Sequence, residues 1–309
     1  MAIYARDAGV WKSVSGGETP TAPQATISAI TGSGTTHTYG SYIAYEFKTS
    51  GTITFTEGTF PEALIIGGGG GGGNDAGGGA GGFLELTNVF SSSGSQAVTV
   101  GAGGLGTVSG VNPTIGSPSV FLGVYSPGGG GGGWVGEAGT SGASAGGNAR
   151  SFGTLVPGIP GLGNSTTGTF GSGGGAGGAG SGGSGNKLAG PGLSSNITGA
   201  TVFYAGGGNV GETSTAEART AANTSGAANS GSGGGNLAAT VGGSGVVIVK
   251  ILATNASNVD TTGWNEITAA MLAAAEKKRK AEAKKAELQA KNEELSGVTQ
   301  TDIEEDTNV

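Results

Sequence analysis

Few residues of this chain are of types that do chemistry, and their spacing narrows the choice further. His37 is the single histidine, and cysteine is absent. A Ser–His–Asp or Cys–His arrangement would have His37 as its one possible imidazole base. A metal centre built from histidine and thiolate lacks ligands. The carboxylates of the glycine-rich part, Asp75, Glu85, Glu137, Glu212 and Glu217, are scattered. A glycosidase needs two carboxylates about 5–10 Å apart, and spacing along the chain does not decide that. Convergence of two carboxylates, or of His37 and an acid, in one pocket would speak for hydrolysis. Ser181-Gly182-Gly183-Ser184-Gly185-Asn186-Lys187 leads glycines into a lysine. Asn186 precedes that lysine and Leu188 follows it, so the Gly-Lys-Ser/Thr core of a phosphate-binding loop is missing. The arginines are Arg6, Arg150, Arg219 and Arg279, none in an Arg-Gly-Gly repeat, and the net charge is −7. Both argue against a general nucleic-acid binder. What remains for recognition interrupts the glycine-rich stretches: Tyr125, Trp134, Arg150, Phe152 and Tyr204. Exposed, these side chains would stack on sugars or fill receptor crevices. Turned inward, they would cap the glycine-rich body.

The elements that must position them come from an unusual composition. Glycine supplies 71 of 309 residues, proline 9, and no strict Gly-X-Y period runs through the chain, which excludes collagen. Charged residues are 11% and apolar residues 35%, the reverse of the balance that keeps chains disordered. Ordinary β sequence comes first. Ala25–Ile30, Tyr42–Phe47 and Thr52–Thr56 alternate apolar and polar residues with β-branched and aromatic enrichment. His37 falls in Thr35–Tyr39, read as a loop or strand end. Ala63-Leu64-Ile65-Ile66 then runs straight into seven consecutive glycines, Gly67–Gly73. Glycine clusters recur to Gly245, separated by pieces such as Val120–Tyr125, Trp134-Val135 and Val202–Tyr204. A bare glycine run is a flexible linker, but the interspersed apolar and aromatic residues read as a folded domain. The expected form is polyproline-II-like helices, about three residues per turn, whose backbone groups bond to neighbouring helices. Val246–Leu252 is a nearly all-apolar strand, expected beside Ala63–Ile66 and Thr52–Thr56.

The order of these pieces resembles a known family. An apolar strand enters a glycine run, Gly78-Gly79-Ala80-Gly81-Gly82-Phe83 follows, then Ala97-Val98-Thr99-Val100-Gly101-Ala102-Gly103-Gly104, Ser119-Val120-Phe121, and Gly242-Gly243-Ser244-Gly245-Val246-Val247-Ile248-Val249. Over roughly residues 50–252 this is similar to the glycine-rich domain of tail-fibre and other structural proteins of tailed bacteriophages. Ile3–Val14 resembles a short Asp-Gly-x-Trp-Lys virion element, with Ala8 set between Asp7 and Gly9. The resemblance implies a polyglycine sandwich with host-recognising loops at one end, and assembly as trimers.

The two ends differ from this body. Residues 1–20 read as strand, turn, strand, an attachment hairpin with Tyr4 and Trp11 as anchors, and residues 21–50 as a β linker region. The glycine-rich domain is expected over 51–252, and a helix with an acidic tail over 253–309. Within that last part, 265–296 is read as the helix, with Asn265 as N-cap and Gly297 as stop. Its narrow apolar stripe, Ile267, Met271, Leu288 and Leu295, fits a solvated helix or one that docks or self-associates. The N-terminus lacks a secretory pattern, and no window is apolar enough to span a bilayer. The expected fold class is thus mostly β and irregular: a small β-strand region, a glycine-rich polyproline-II-type helical sandwich and a C-terminal α-helix. The expected protein is a non-enzymatic phage virion component, a tail fibre or adhesin, made in the host cytoplasm and resident in the virion. Its expected partners are other virion proteins, its own copies, and a host-surface glycan or outer-membrane protein. No cofactor, metal, nucleic acid or membrane insertion is expected. The alternatives are a capsid or tail decoration without receptor binding and, behind it, a fibre-associated glycan depolymerase.

Overall fold

The computed structural model describes residues 4–7, 10–13, 27–87, 89–106, 112–149, 155–166, 168–183, 187–211, 213–236, 239–252 and 260–266. Two short strands, β1 (Tyr4–Asp7) and β2 (Val10–Ser13), form an antiparallel hairpin. The main sheet contains β3 (Ile27–Tyr39), β4 (Tyr42–Phe47), β5 (Gly51–Phe55), β6 (Glu62–Ile66), β7 (Phe83–Leu86), β8 (Gly94–Thr99), β9 (Ser119–Phe121) and β10 (Val124–Ser126). A second pair, β11 (Leu193–Ser195) and β12 (Val202–Tyr204), stands apart, and β13 (Val246–Leu252) returns to the main sheet. The order β10-β9-β8-β5-β3-β4-β13-β6-β7 is antiparallel throughout and curls into a nearly closed barrel. A last strand, β14 (Asp260–Glu266), pairs in parallel with β3.

Strand periodicity explains the core. Tyr45 and Phe47 of β4, Ala63 and Ile65 of β6, and Val247, Val249 and Ile251 of β13 face the barrel interior with Ile30, Ile53, Phe55, Val98 and Phe121. The alternate residues, Ala44, Leu64, Ile66, Val246 and Ile248, face outward and are buried too. A strand covered on both sides must be apolar at every position. That is why Ala63–Ile66 and Val246–Val249 are unbroken apolar runs. Trp264 closes the interior cluster, 8 % exposed, with its ring edge-on to Phe47 at 5.0 Å and to Tyr45 at 6.1 Å.

These findings correct the expected fold class. The described residues are all-β, built on a nine-strand barrel. They do not form a small strand region beside a separate helical sandwich, and all but the first two residues of the expected C-terminal α-helix lie outside them. Among the described residues no helix reaches seven residues, and Ala216–Ala218 forms a single 3-10 turn. The sheet is large because the doubly buried strands recruit partners from the whole span between Ile27 and Leu252. Asn265 and Glu266, read as a helix start, lie in β14, where pairing to β3 outweighs a local capping signal. The rest of that stretch lies outside the described residues. β3 and β4, which fall in the stretch read as a β linker region, are central strands of the main sheet. Thr35–Tyr39, read as a loop or strand end, is the end of β3 and pairs with β4. β13 lies beside β6, as expected, but its other neighbour is β4 and not Thr52–Thr56, because β5 follows β4 along β3.

The glycine-rich stretches are connections between strands: 67–82 joins β6 to β7, 100–118 joins β8 to β9, 127–192 joins β10 to β11, and 205–245 joins β12 to β13. Gly67–Gly73 lies at their centre. The N–H groups of Gly67, Gly70 and Gly73 donate to the carbonyls of Gly82, Gly79 and Ala76; those of Gly68 and Gly71 to Ser117 and Thr114; those of Gly69 and Gly72 to Gly243 and Thr240, all at 2.8–3.1 Å. The direction of donation thus recurs every third residue. A β-carbon would point between these bonds, again with period three. On Gly67, Gly70 or Gly73 it would strike the carbonyl of Pro127, Gly130 or Gly133; on Gly68 or Gly71, Ala102 or Leu105; on Gly69 or Gly72, Ser232 or Gly235. The segment is enclosed by backbone on six sides, and only glycine fits.

Candidate functional site

The β11–β12 hairpin is too short to be stable alone. It rests on the outward face of β4, β13 and β6, adding Ile197 and Tyr204 to the cluster of Ala44, Leu64, Ile66, Val246 and Ile248. The Tyr39 hydroxyl donates to the Ile197 carbonyl at 2.5 Å and holds the turn down. Tyr204, expected as a surface contact, is 4 % exposed. This is a correction: alternation along β12 turns its ring onto the sheet and leaves neighbouring Phe203 outward, 41 % exposed. Burial, reinforced by the nearby Glu46 carboxylate, pushes the Tyr204 hydroxyl far above the ordinary tyrosine value. The folded state therefore holds this proton more tightly than the unfolded chain. Stability from this source is intact below about pH 10 and falls as pH rises above it. Tyr204→Phe removes the titrating group, so its alkaline unfolding midpoint, followed by circular dichroism, is expected at higher pH than that of the unsubstituted chain.

A cleft opens on each side of the hairpin. The first, about 270 Å³, is lined by His37, Glu46 and Lys48 from the sheet, and by Thr198, Val202–Tyr204 and Ala228–Ser230. Ala44 and Glu46 alternate with buried Tyr45 and Phe47, and His37 pairs with Ala44 across the ladder, so His37 and Glu46 share the outward face. His37 Nε2 lies 3.0 Å from Glu46 Oε2, and Lys48 Nζ lies 3.5 Å from the same oxygen. Lys48 Nζ also donates to Thr35 Oγ1 at 2.9 Å. The Lys48 and Glu46 side chains are about nine-tenths buried. The second cleft, about 330 Å³, is lined by Glu62, Ala63, Glu85, Leu86, Thr87, Lys250 and Ser194–Ile197. Lys250 Nζ lies 2.6 Å from Glu62 Oε2 and 4.6 Å from the centre of the Tyr42 ring.

The two arrangements that would speak for hydrolysis, His37 with an acid and two carboxylates in one pocket, are therefore both present. Their surroundings differ from those of a glycosidase, in which apolar walls keep one carboxyl protonated. Glu46 and Glu62 each face a lysine ammonium, and Glu85 is exposed. Among the described residues no group of three or more histidines or acids is placed to hold a metal ion. Sequence reading passed over Glu46 and Lys48. The available signal was a pair of charges bracketing Phe47 in a strand with a buried face.

Tyr125 and Trp134, the other described candidates of the glycine-rich region, do not converge. Tyr125 on β10 is 64 % exposed. Trp134 is half-buried beside exposed Val135, in a turn where the Glu137 N–H donates to the Trp134 carbonyl at 2.8 Å and Gly136 takes a positive φ of 77°. Between them Gly128–Gly133 runs parallel to Gly67–Gly73, Gly129 and Gly132 donating to Gly68 and Gly71. At about 3.1 Å per residue the run of six glycines alone spans roughly 19 Å. Tyr4 and Trp11 occupy the paired strands β1 and β2. Arg150, Phe152, Ile267, Met271, Leu288 and Leu295 lie outside the described residues.

A nearly closed barrel whose connections bond to one another through glycine backbone defines a glycine-rich structural domain. Residues 46–252 match the family model described as "Glycine-rich domain", and the chain belongs to that family. The match begins inside β4 and ends with β13. No curated protein matches the chain.

Proposed function

We propose that this chain is a non-enzymatic structural protein of a bacteriophage virion, a tail-fibre or adhesin-type component that meets the host surface through turns of its glycine-rich domain. It is made in the host cytoplasm and works in the virion, joined to other virion proteins and to its own copies. The observation that carries the reading is the glycine array itself. Every side of Gly67–Gly73 is satisfied by neighbouring backbone, which makes a stiff support, and the run beside it ends in Trp134 and exposed Val135. A host-surface glycan or outer-membrane protein would be met there. Phage particles carrying Trp134→Ala, with Tyr125→Ala as a second variant, are expected to contain normal amounts of the chain. Their adsorption to host cells is expected to fall about tenfold, the loss of about 1.4 kcal/mol of contact. Unchanged adsorption in both would favour an architectural decoration without receptor binding, a reading supported by the inward ring of Tyr204. Release of reducing ends from host polysaccharide, abolished by Glu46→Gln or Glu62→Gln, would favour the depolymerase.

A further inference from the structure

We infer that the cleft between β4 and the β11–β12 hairpin binds a neutral sugar ring. Its floor carries one buried cation and one buried anion in contact, Lys48 and Glu46, with His37 on the same carboxylate oxygen. A buried ion pair is a poor source of stability, because desolvating the charges cancels most of their attraction. Its chemistry in a cleft is different: it offers strong donors and a strong acceptor side by side, with no net charge. A phosphate entering beside Lys48 would face Glu46, and a metal ion entering beside Glu46 would face Lys48. A sugar hydroxyl both donates and accepts, and meets each partner without conflict. Asn229 and Ser230 also line the cleft, and Phe203 presents an aromatic ring that is 41 % exposed. An outward aromatic beside hydrogen-bonding groups suits a pyranose, which has C–H faces and a polar rim. The volume, about 270 Å³, falls just below the range of drug-sized ligand sites, roughly 300 to 1,000 Å³. It suits a single ring.

His37, as the single histidine of the chain, reports on this cleft without ambiguity. The test is imidazole nuclear magnetic resonance of the full chain titrated with the methyl glycosides of glucose, galactose, mannose and N-acetylglucosamine, each to about 50 mM, enough to see millimolar binding. At least one glycoside is expected to move the His37 signals saturably. Phe203→Ala and Glu46→Gln are each expected to weaken that binding tenfold or more. Phe203 is exposed, so Phe203→Ala decides the matter alone if Glu46→Gln fails to fold. The inference is overturned if no glycoside moves the signals, if inorganic phosphate or calcium moves them and no glycoside does, or if Phe203→Ala binds as tightly as the unsubstituted chain. The inference does not rest on the virion reading, which is tested separately by adsorption of the Trp134 and Tyr125 variants.

Discussion

Gly70→Val is expected to destabilise the protein by about 3 kcal/mol or more, or to prevent folding, while Thr99→Val changes stability by less than about 0.5 kcal/mol. A β-carbon on Gly70 would overlap the Gly130 carbonyl, and Gly130 in turn lies between Gly79 and Ser144, bonded to both. The obstacle is backbone held by its own hydrogen bonds, so no rotamer change relieves it. Either the bonds from Gly79 to Gly130 and from Gly130 to Ser144 stretch, or the central segment moves out of register with its neighbours. Thr99 is an exposed β-branched residue on a strand, and valine suits that position equally. Gly130→Val is expected to behave like Gly70→Val, its β-carbon meeting the Thr140 carbonyl. Denaturant midpoints measured by circular dichroism separate the two classes. Similar midpoints for Gly70→Val and Thr99→Val would mean that the glycine segments are not packed against each other in solution.

The second large effect concerns the end of the barrel. Trp264→Ala is expected to cost about 3–5 kcal/mol, the usual range for emptying a buried aromatic site. The indole packs edge-on against Phe47 and Tyr45, and its removal leaves both rings without that neighbour. A chain ending after Leu252 loses the same side chain together with that pairing. It is expected to melt well below a chain ending after Glu266, although both keep the whole glycine-rich region. Thermal unfolding of the two truncations checks this. Equal melting temperatures would show that Trp264 is not part of the cooperative core. This result also bears on the C-terminal end as an attachment element: Asp260–Glu266 belongs to the main sheet, so an anchoring role is expected of residues beyond it.

Some of this architecture was legible in the amino-acid sequence because the information is local. Tyr42–Phe47, Thr52–Phe55, Ala63–Ile66 and Val246–Leu252 have strand composition, and each lies in a strand. Two of these runs, Ala63–Ile66 and Val246–Val249, are apolar at consecutive positions, which marks strands buried on both faces. Seven glycines in a row mark a segment with no room for a side chain on any side. The rest depends on which distant backbone lies opposite. Whether Tyr204 faces in or out is set by which residue of a three-residue strand meets the sheet, and shifting the register by one would exchange it with Phe203. That His37 meets Glu46 follows from the β3–β4 register, which places His37 against Ala44. The segment after Leu252 shows the limit most clearly. Asn265 reads as a helix cap from its neighbours alone, but Asp260–Glu266 pairs with β3 and sets the Trp264 ring against Phe47. The sequence by itself determined which stretches could bear burial and which could bear no side chain. The tertiary structure decided what each met, because a hydrogen-bond partner far along the chain leaves no periodic trace in the residues that find it.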